Sequence, residues 1–287
     1  MPRRQDWIIG GIICASVLLV LLLFLGAFSV LLKGKGPAIP KGKKVALVEV
    51  KGTILNSKSV VRKLRKHSRD GSILALVLRV ESPGGSVAAC QEIYEEVRRL
   101  RRSGMKIVAS MGNIATSGGY YVAVAADTIV ANPGTVTGSI GVIAQLANTE
   151  GLLRKLGIRF ETVKSGRYKD IGSPFKKMTT EERQLLQGVI DDAYDQFVDA
   201  VVSERGLSRE DVLKVADGRI FTGRQALTYG LVDLLGGYQD AIDLAGEMAG
   251  IGKDPPVIKE KERPNLFELL FGSITALPML YYLLQGF

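Results

Sequence analysis

Five of the serines that stand beside glycine or proline are candidates for chemistry: Ser82 and Ser86 in ESPGGS (81–86), Ser117 in NIATSGGYYVA (113–123), Ser139 in NPGTVTGSIG (132–141) and Ser173 in SGRYKDIGSPF (165–175). A serine flanked by glycine leaves the following amide unobstructed. Two such preorganised N–H groups stabilise a developing alkoxide by ~3 to 4 kcal/mol per donor. The SPGG turn can supply one, and the amide after a serine at a helix start can supply the other, helped by the helix dipole. Any single Gly pair reads more simply as a left-handed turn at a strand end. Several serine-bearing turns together favour a site built from backbone amides. Phosphate cradling is a weak reading, because GxxxxGK[ST] and GxGxxG are both absent.

A serine nucleophile needs a base. The one histidine, His67, lies in KLRKHSRDG among Lys66, Arg65 and Arg69 and reads as a solvated surface group. That leaves lysine, which acts with serine in convergent versions of the triad. With an unperturbed pKa of ~10.4, a lysine is neutral in only about 0.04% of molecules at pH 7, so a lysine base has to be buried. Lys169, in a Tyr/Gly/Ser/Pro turn between a strand and a long helix, differs from the lysines that sit in runs, although composition alone reads it as solvated. The residues by themselves do not choose among the five serines. Metal catalysis is not expected without CxxC, HExxH or a second histidine, and Cys14 and Cys90 are not expected to pair.

The elements that must position these groups alternate in type. KVALVEVKGTI (44–54), SILALVLRV (72–80), KIVASM (106–111) and TIVAN (128–132) read as strands. SVAACQEIYEEVRRLRRSG carries Val87, Cys90, Tyr94, Val97 and Leu100 on one helical face and stops at Gly104. After IRFETVKSG, a helix is predicted from about Thr180 to Arg205. Thr179 and Glu182 form a capping box, Leu185, Val189, Ala193, Phe197 and Val201 make its apolar stripe, and Gly206 ends it. Ser208 and Asp211 open another short helix. This alternation predicts a layered α/β domain over residues 45–253.

At 287 residues with 46% hydrophobic content, the chain can hold one such domain plus appendages. The 26 residues from Trp7 to Leu32 carry no charge. At ~1.5 Å per residue they exceed a hydrocarbon core of ~30 Å and predict an uncleaved transmembrane anchor, since a signal peptide's apolar region is shorter. A Gly/Pro/Lys linker follows over 33–44, and residues 254–287 form an apolar tail interrupted by Gly272, Pro278 and Gly286. The net charge of +9 is scattered, apart from Lys33–Lys44 and VVRKLRKHSR (60–69), which points to a membrane surface and not to nucleic acid.

The order ESPGGS, NIATSGGYYVA, NPGTVTGSIGVI, VKSGRYKDIGSPF resembles the signal peptide peptidase A family, the membrane-anchored Ser/Lys peptidases of the Clp protease/crotonase superfamily, over about Val45–Gly252. The resemblance implies Ser117 as nucleophile, Lys169 as general base, the amides of Gly84 and Gly118 as oxyanion hole, and Ser139 as the serine that orients the lysine. It implies a Clp protease/crotonase-like layered α/β fold, released signal peptides or other apolar peptides as substrates, no cofactor, and a homo-oligomeric ring whose sites take serine and lysine from adjacent protomers. It also implies a body on the extracytoplasmic face of the bacterial cytoplasmic membrane. The positive-inside rule opposes this, because five lysines (33, 35, 41, 43 and 44) follow the span against Arg3 and Arg4 before it. The alternatives are a crotonase-like acyl-CoA hydratase or isomerase using the same amides, and a noncatalytic membrane scaffold.

Overall fold

The computed structural model describes residues 18–21, which are helical, and 42–260. Eight strands form one sheet: β1 (Lys44–Lys51), β2 (Ile73–Ser82), β3 (Lys106–Thr116), β4 (Thr128–Ala131), β5 (Val136–Gly138), β6 (Ile220–Thr222), β7 (Leu234–Leu235) and β8 (Val257–Lys259). The described helices are α1 (Lys58–Ser68), α2 (Val87–Arg102), α3 (Gly118–Ala123), α4 (Glu150–Lys155), α5 (Thr180–Arg205), α6 (Arg209–Leu213), α7 (Gly223–Thr228) and α8 (Tyr238–Met248). Sheet order is β6-β5-β3-β2-β1-β8, with β4 and then β7 branching from β3. All pairs are parallel except β5–β6.

The alternation of side chains along the strands divides the core. Ala46, Val48, Leu76, Leu78 and Val80 face α1, α2, α3 and α5, whereas Val45, Leu47, Ala75, Val77 and Val108 face Ala241, Ile242 and Ala245 of α8. Both faces are covered, so the strands read as near-continuous apolar runs. At ~25 cal/mol per Å², each fully buried Val, Leu or Ile contributes about 1.5 to 3 kcal/mol, and these layers hold the sheet rigid under the turns at its C-terminal edge.

The caps follow the sequence closely. Thr179 Oγ1 accepts from the Glu182 amide at 3.2 Å while the Glu182 carboxylate accepts from the Thr179 amide at 2.9 Å. Gly206 closes α5 at φ 63°, and Ser208 caps α6 by accepting from the Asp211 amide at 3.0 Å.

Four expectations are corrected. No strand forms at IRFETV: residues 157–164 are irregular and exposed, because no strand among the described residues lies beside them to complete a ladder. The N-terminal half of the α5 stripe is unpartnered, with Leu185 and Val189 exposed and only the second half, from Phe197, buried. The sheet does not stop at residue 253, since β8 pairs with β1 through Val45↔Val257 and Leu47↔Lys259. Finally, His67 is only 3% exposed. It falls three residues after Leu64 on the inner face of α1, so helical period overrides its charged neighbours in the sequence.

Most of the apolar run Trp7–Leu32, Cys14, and the tail beyond residue 260 lie outside the described residues. Among the described residues no helix is long and apolar enough to cross a membrane.

Burial, reinforced by Lys66 and Lys63 and opposed by Glu260 and Asp70, holds the His67 imidazole below its ordinary value. Folding therefore favours the neutral ring. The stability this provides is complete above about pH 6.5 and drains away as pH falls below it. Between pH 7.5 and 5.5 the thermal midpoint of the wild type should fall further than that of His67→Phe. Equal falls in the two proteins would remove His67 as the cause.

Candidate active site

Strand β3 forks. Its first half pairs with β4 (Val108↔Thr128) and its second half with β5 (Thr116↔Gly138), so the chain leaves β3 at the point where β5 holds it. The next residue is Ser117. Its amide donates to the Gly138 carbonyl at 2.8 Å, its carbonyl accepts from the Tyr121 amide at 2.9 Å, and its backbone is held at φ 51°, ψ −122°. A non-glycine residue there is strained, and strain of this kind persists only where the surroundings fix it. Here α3 does the fixing. All six of its residues are buried, the Tyr120 hydroxyl donates to the Leu231 carbonyl at 2.9 Å, and the Tyr121 ring packs edge-on to Tyr94 and Phe197 at 4.9 and 4.8 Å.

The SPGG turn closes over Ser117. Gly84 has φ +114°, and a Cβ on it would stand 2.9 Å from the Gly118 nitrogen and the Ser117 Cβ, and 3.2 Å from Ser117 Oγ. Gly85 bridges to Ile54, whose carbonyl its Cβ would strike, and a Cβ on Gly118 would strike Cys90 Sγ. Three backbones thus meet where only glycine allows it. Burial pushes the Cys90 thiol up to about 11, so it is a protonated packing group beneath Gly118 at neutral pH.

The structure brings Gly84, Ser117 and Gly118 together, with one difference from expectation. The Gly84 amide donates to Ser82 Oγ at 3.1 Å, and Ser82, fully buried, donates onward to the Gly52 carbonyl at 2.6 Å. Gly84 therefore shapes the turn with an amide already engaged. The neighbouring Gly85 amide makes no hydrogen bond among the described residues, and its nitrogen lies 3.2 Å from where a Gly118 Cβ would be. The Gly118 N–H is the first of α3 and has no intrahelical acceptor. The amides left without a hydrogen bond at the turn and at the start of α3, among the described residues, are thus those of Gly85 and Gly118. The resemblance names Gly84 for the oxyanion hole, and in the single chain it is the Gly84 amide that Ser82 Oγ engages.

Ser139 follows Gly138, itself bonded to the Ser117 amide, and is also held at φ 51°, with its amide donating to the Arg219 carbonyl at 2.8 Å. Ser86 is the exposed residue before α2, and Ser173 accepts from the Phe175 amide at 3.3 Å. Lys169 lies on an exposed turn, its amide bonded to the Gly166 carbonyl at 3.2 Å, and no hydrogen bond joins its side chain to Ser117 or Ser139. His67 precedes the start of β2, whereas Ser117 follows the end of parallel β3. At ~3.3 Å per residue the ten residues of β2 separate these edges by roughly 30 Å, which takes His67 away from the serine.

Residues 99–252, which include Ser117, Ser139 and Lys169, match the model of peptidase family S49. The Synechocystis sp. protein slr0021, provisionally named a protease, is 46% identical over 224 residues, covering 78% of this chain and 80% of the relative. The Arabidopsis thaliana chloroplastic serine protease SPPA is 33% identical over 216 residues, and there the match covers 75% of this chain but only 32% of the relative. Among solved structures, a ClpP1 mutant from Listeria monocytogenes aligns over 68% of this chain and 94% of its own at 16% identity and a TM-score of 0.47. A family match over more than half of the chain, together with a relative at 46% identity, places this protein in peptidase family S49.

Proposed function

We propose that this chain is a serine endopeptidase in which Ser117 forms the acyl-enzyme and Lys169 is the general base. The observation that carries this reading is the strained Ser117 backbone set beside two unengaged amides, Gly85 and Gly118. Ser117 Oγ attacks the scissile carbonyl carbon as the lysine amine takes its proton. The two amides hold the oxyanion, collapse of the tetrahedral species expels the amine, which receives the proton from the lysine, and water then hydrolyses the ester by the same route. Ser139, beside the Gly138 carbonyl that anchors Ser117, is suited to hold that lysine.

A lysine base has to be desolvated, whereas Lys169 is exposed in the single chain. The segment around it is short of partners as well. Ile143 (81% exposed), Leu152, Leu156, Phe160 and Val163 face outward, as do Leu185 and Val189 on α5. Apolar surface of this extent favours burial against another chain. The reading that fits both facts is a ring of identical chains in which the 141–178 segment of one protomer brings Lys169 to the Ser117 of its neighbour. A cleft lined by Val142, Leu146, Met178, Leu186 and Ile190 together with Lys176, Lys177 and Arg183 would seat apolar side chains of a peptide such as a released signal peptide beside its polar backbone. The uncharged run Trp7–Leu32 would hold the ring at the bacterial cytoplasmic membrane, with the body on its extracytoplasmic side.

A phosphonylating probe should label Ser117 alone: Ser117→Ala loses the label, whereas Ser82→Ala and Ser86→Ala keep it. Undiminished labelling of Ser117→Ala would sink the nucleophile. Ser117→Ala and Lys169→Ala, each inactive against a solubilised signal peptide, should regain part of the activity when co-assembled. Verified mixed oligomers without recovery would mean that each protomer holds a complete site.

The packing under the oxyanion amide is testable separately. Gly118→Ala should destabilise the protein to denaturant by about 1 to 3 kcal/mol through overpacking against Cys90. In a Cys90→Ala background that cost should shrink, because the colliding sulfur is gone. Additive effects of the two substitutions would show that Cys90 is not what excludes a side chain at position 118.

A further inference from the structure

Between Val80↔Met111 and Ser82↔Ala115 the β2–β3 register slips, so that two steps along β2 match four along β3. The slipped residues, Gly112 to Ile114, lose their regular β2 partners, and side chains take up the Asn113 and Ile114 amides and the Gly112 carbonyl. Glu81, which lies between the two registered β2 residues, turns its carboxylate over the bulge. Oε1 and Oε2 accept from the Asn113 amide at 3.0 and 2.9 Å, and Oε1 also accepts from the Ile114 amide at 3.3 Å. Gly112 has no Cβ where that carboxylate sits, and one added there would collide with it. On the other edge, Thr135 Oγ1 donates to the Gly112 carbonyl and Thr137 Oγ1 to the Ala115 carbonyl, both at 2.7 Å. Arg79 fixes the strand just before the slip, donating to Ser110 Oγ at 2.9 Å and to the Met111 carbonyl at 3.1 Å.

The slip matters because Ser117 lies only two residues beyond its end. Its length sets which β3 residue meets the SPGG turn: with the two extra residues in place, Thr116 Oγ1 donates to the Pro83 carbonyl at 3.1 Å and Ser117 falls under Gly84. A bulge is a known means of re-aiming a side chain beside a site. We propose that Glu81 is a positioning residue for Ser117, its carboxylate standing in for the missing strand acceptors and so holding the β3 bulge at the length that presents Ser117 to the Gly85 and Gly118 amides. This rests on Ser117 being the nucleophile. Glu81 touches no reacting atom; it acts through the backbone of Asn113 and Ile114.

The test uses the full chain in detergent and the phosphonylating probe, separating the limiting labelling rate from the half-saturating probe concentration. Glu81→Gln keeps the shape but turns an NH2 group toward one of the amides. It should slow the limiting rate by about 10- to 100-fold, the size expected of a small misplacement of the nucleophile, with the half-saturating concentration changed by less than about twofold. Hydrogen exchange at the Asn113 and Ile114 amides should rise. Glu81→Asp, which keeps the charge but is one methylene shorter, should fall between Glu81→Gln and wild type, and it carries the test if Glu81→Gln does not fold. Glu49→Gln, which removes a half-buried carboxylate on β1, paired with Lys51 and Lys259 and away from the slip, should change neither parameter. A folded Glu81 variant that labels at the wild-type rate would overturn the proposal, as would a loss that merely tracks the unfolded fraction. Persistent labelling of Ser117→Ala would instead refute the nucleophile itself, so the two failures are distinguishable.

Discussion

The site rests on one close approach: the SPGG turn lies directly on the Ser117–Gly118 backbone, with Gly84, Gly85 and Gly118 each at a spacing that excludes a Cβ. That contact closes the turn over Ser117, which α3 holds at φ 51°, and sets the Gly85 nitrogen close to the Gly118 backbone. Neither strand end could do this alone. The turn supplies the lid, the start of α3 supplies the serine, and Cys90 on α2 supplies the floor, so three elements converge on one point.

The rest of the core serves to make that approach rigid. Parallel strands buried on both faces present their C-terminal ends at one edge, where loops are free to carry chemistry. Strand β3 is the central member, pairing with β2 along its length and dividing its other edge between β4 and β5. Its division leaves Ser117 bonded to Gly138, one residue before Ser139, and thereby links the end of β3 to the Ser139 backbone. Ser82, Thr116, Thr135, Thr137 and Glu81 each satisfy backbone groups that the irregular strand ends leave over.

Beyond Ser139 the character of the chain changes. From Gly141 to about Lys177 side chains are largely exposed, α4 buries none of its residues, and the first half of α5 carries apolar groups without cover. A single chain thus contains a tightly packed turn around Ser117 and an exposed arm that bears Lys169. The physical logic of the proposed assembly lies in that contrast: apolar cover and desolvation of the lysine are both lacking in the isolated chain, and one partner surface would supply both.

The sequence by itself determined what local chemistry can specify. The runs that became β1, β2 and β4, the capping box and C-terminal glycine of α5, the Ser208 cap and the Gly104 stop are all written in residues a few positions apart, and glycine beside serine was enough to mark the turns that form the site. Tertiary structure decided the rest. Helical period within α1 buried His67 despite its basic neighbours, whereas the alternating pattern of IRFETV made no strand, because a ladder needs a second strand that the sequence of one segment does not contain. The choice between Gly84 and Gly85 turned on the Ser82 hydroxyl claiming one amide, and the slip that carries Ser117 into register depended on Glu81 reaching across from β2. Spacing along the chain records which groups are available; only the folded contacts determine which hydrogen bonds are already taken, and it is the amides left untaken that can serve a substrate.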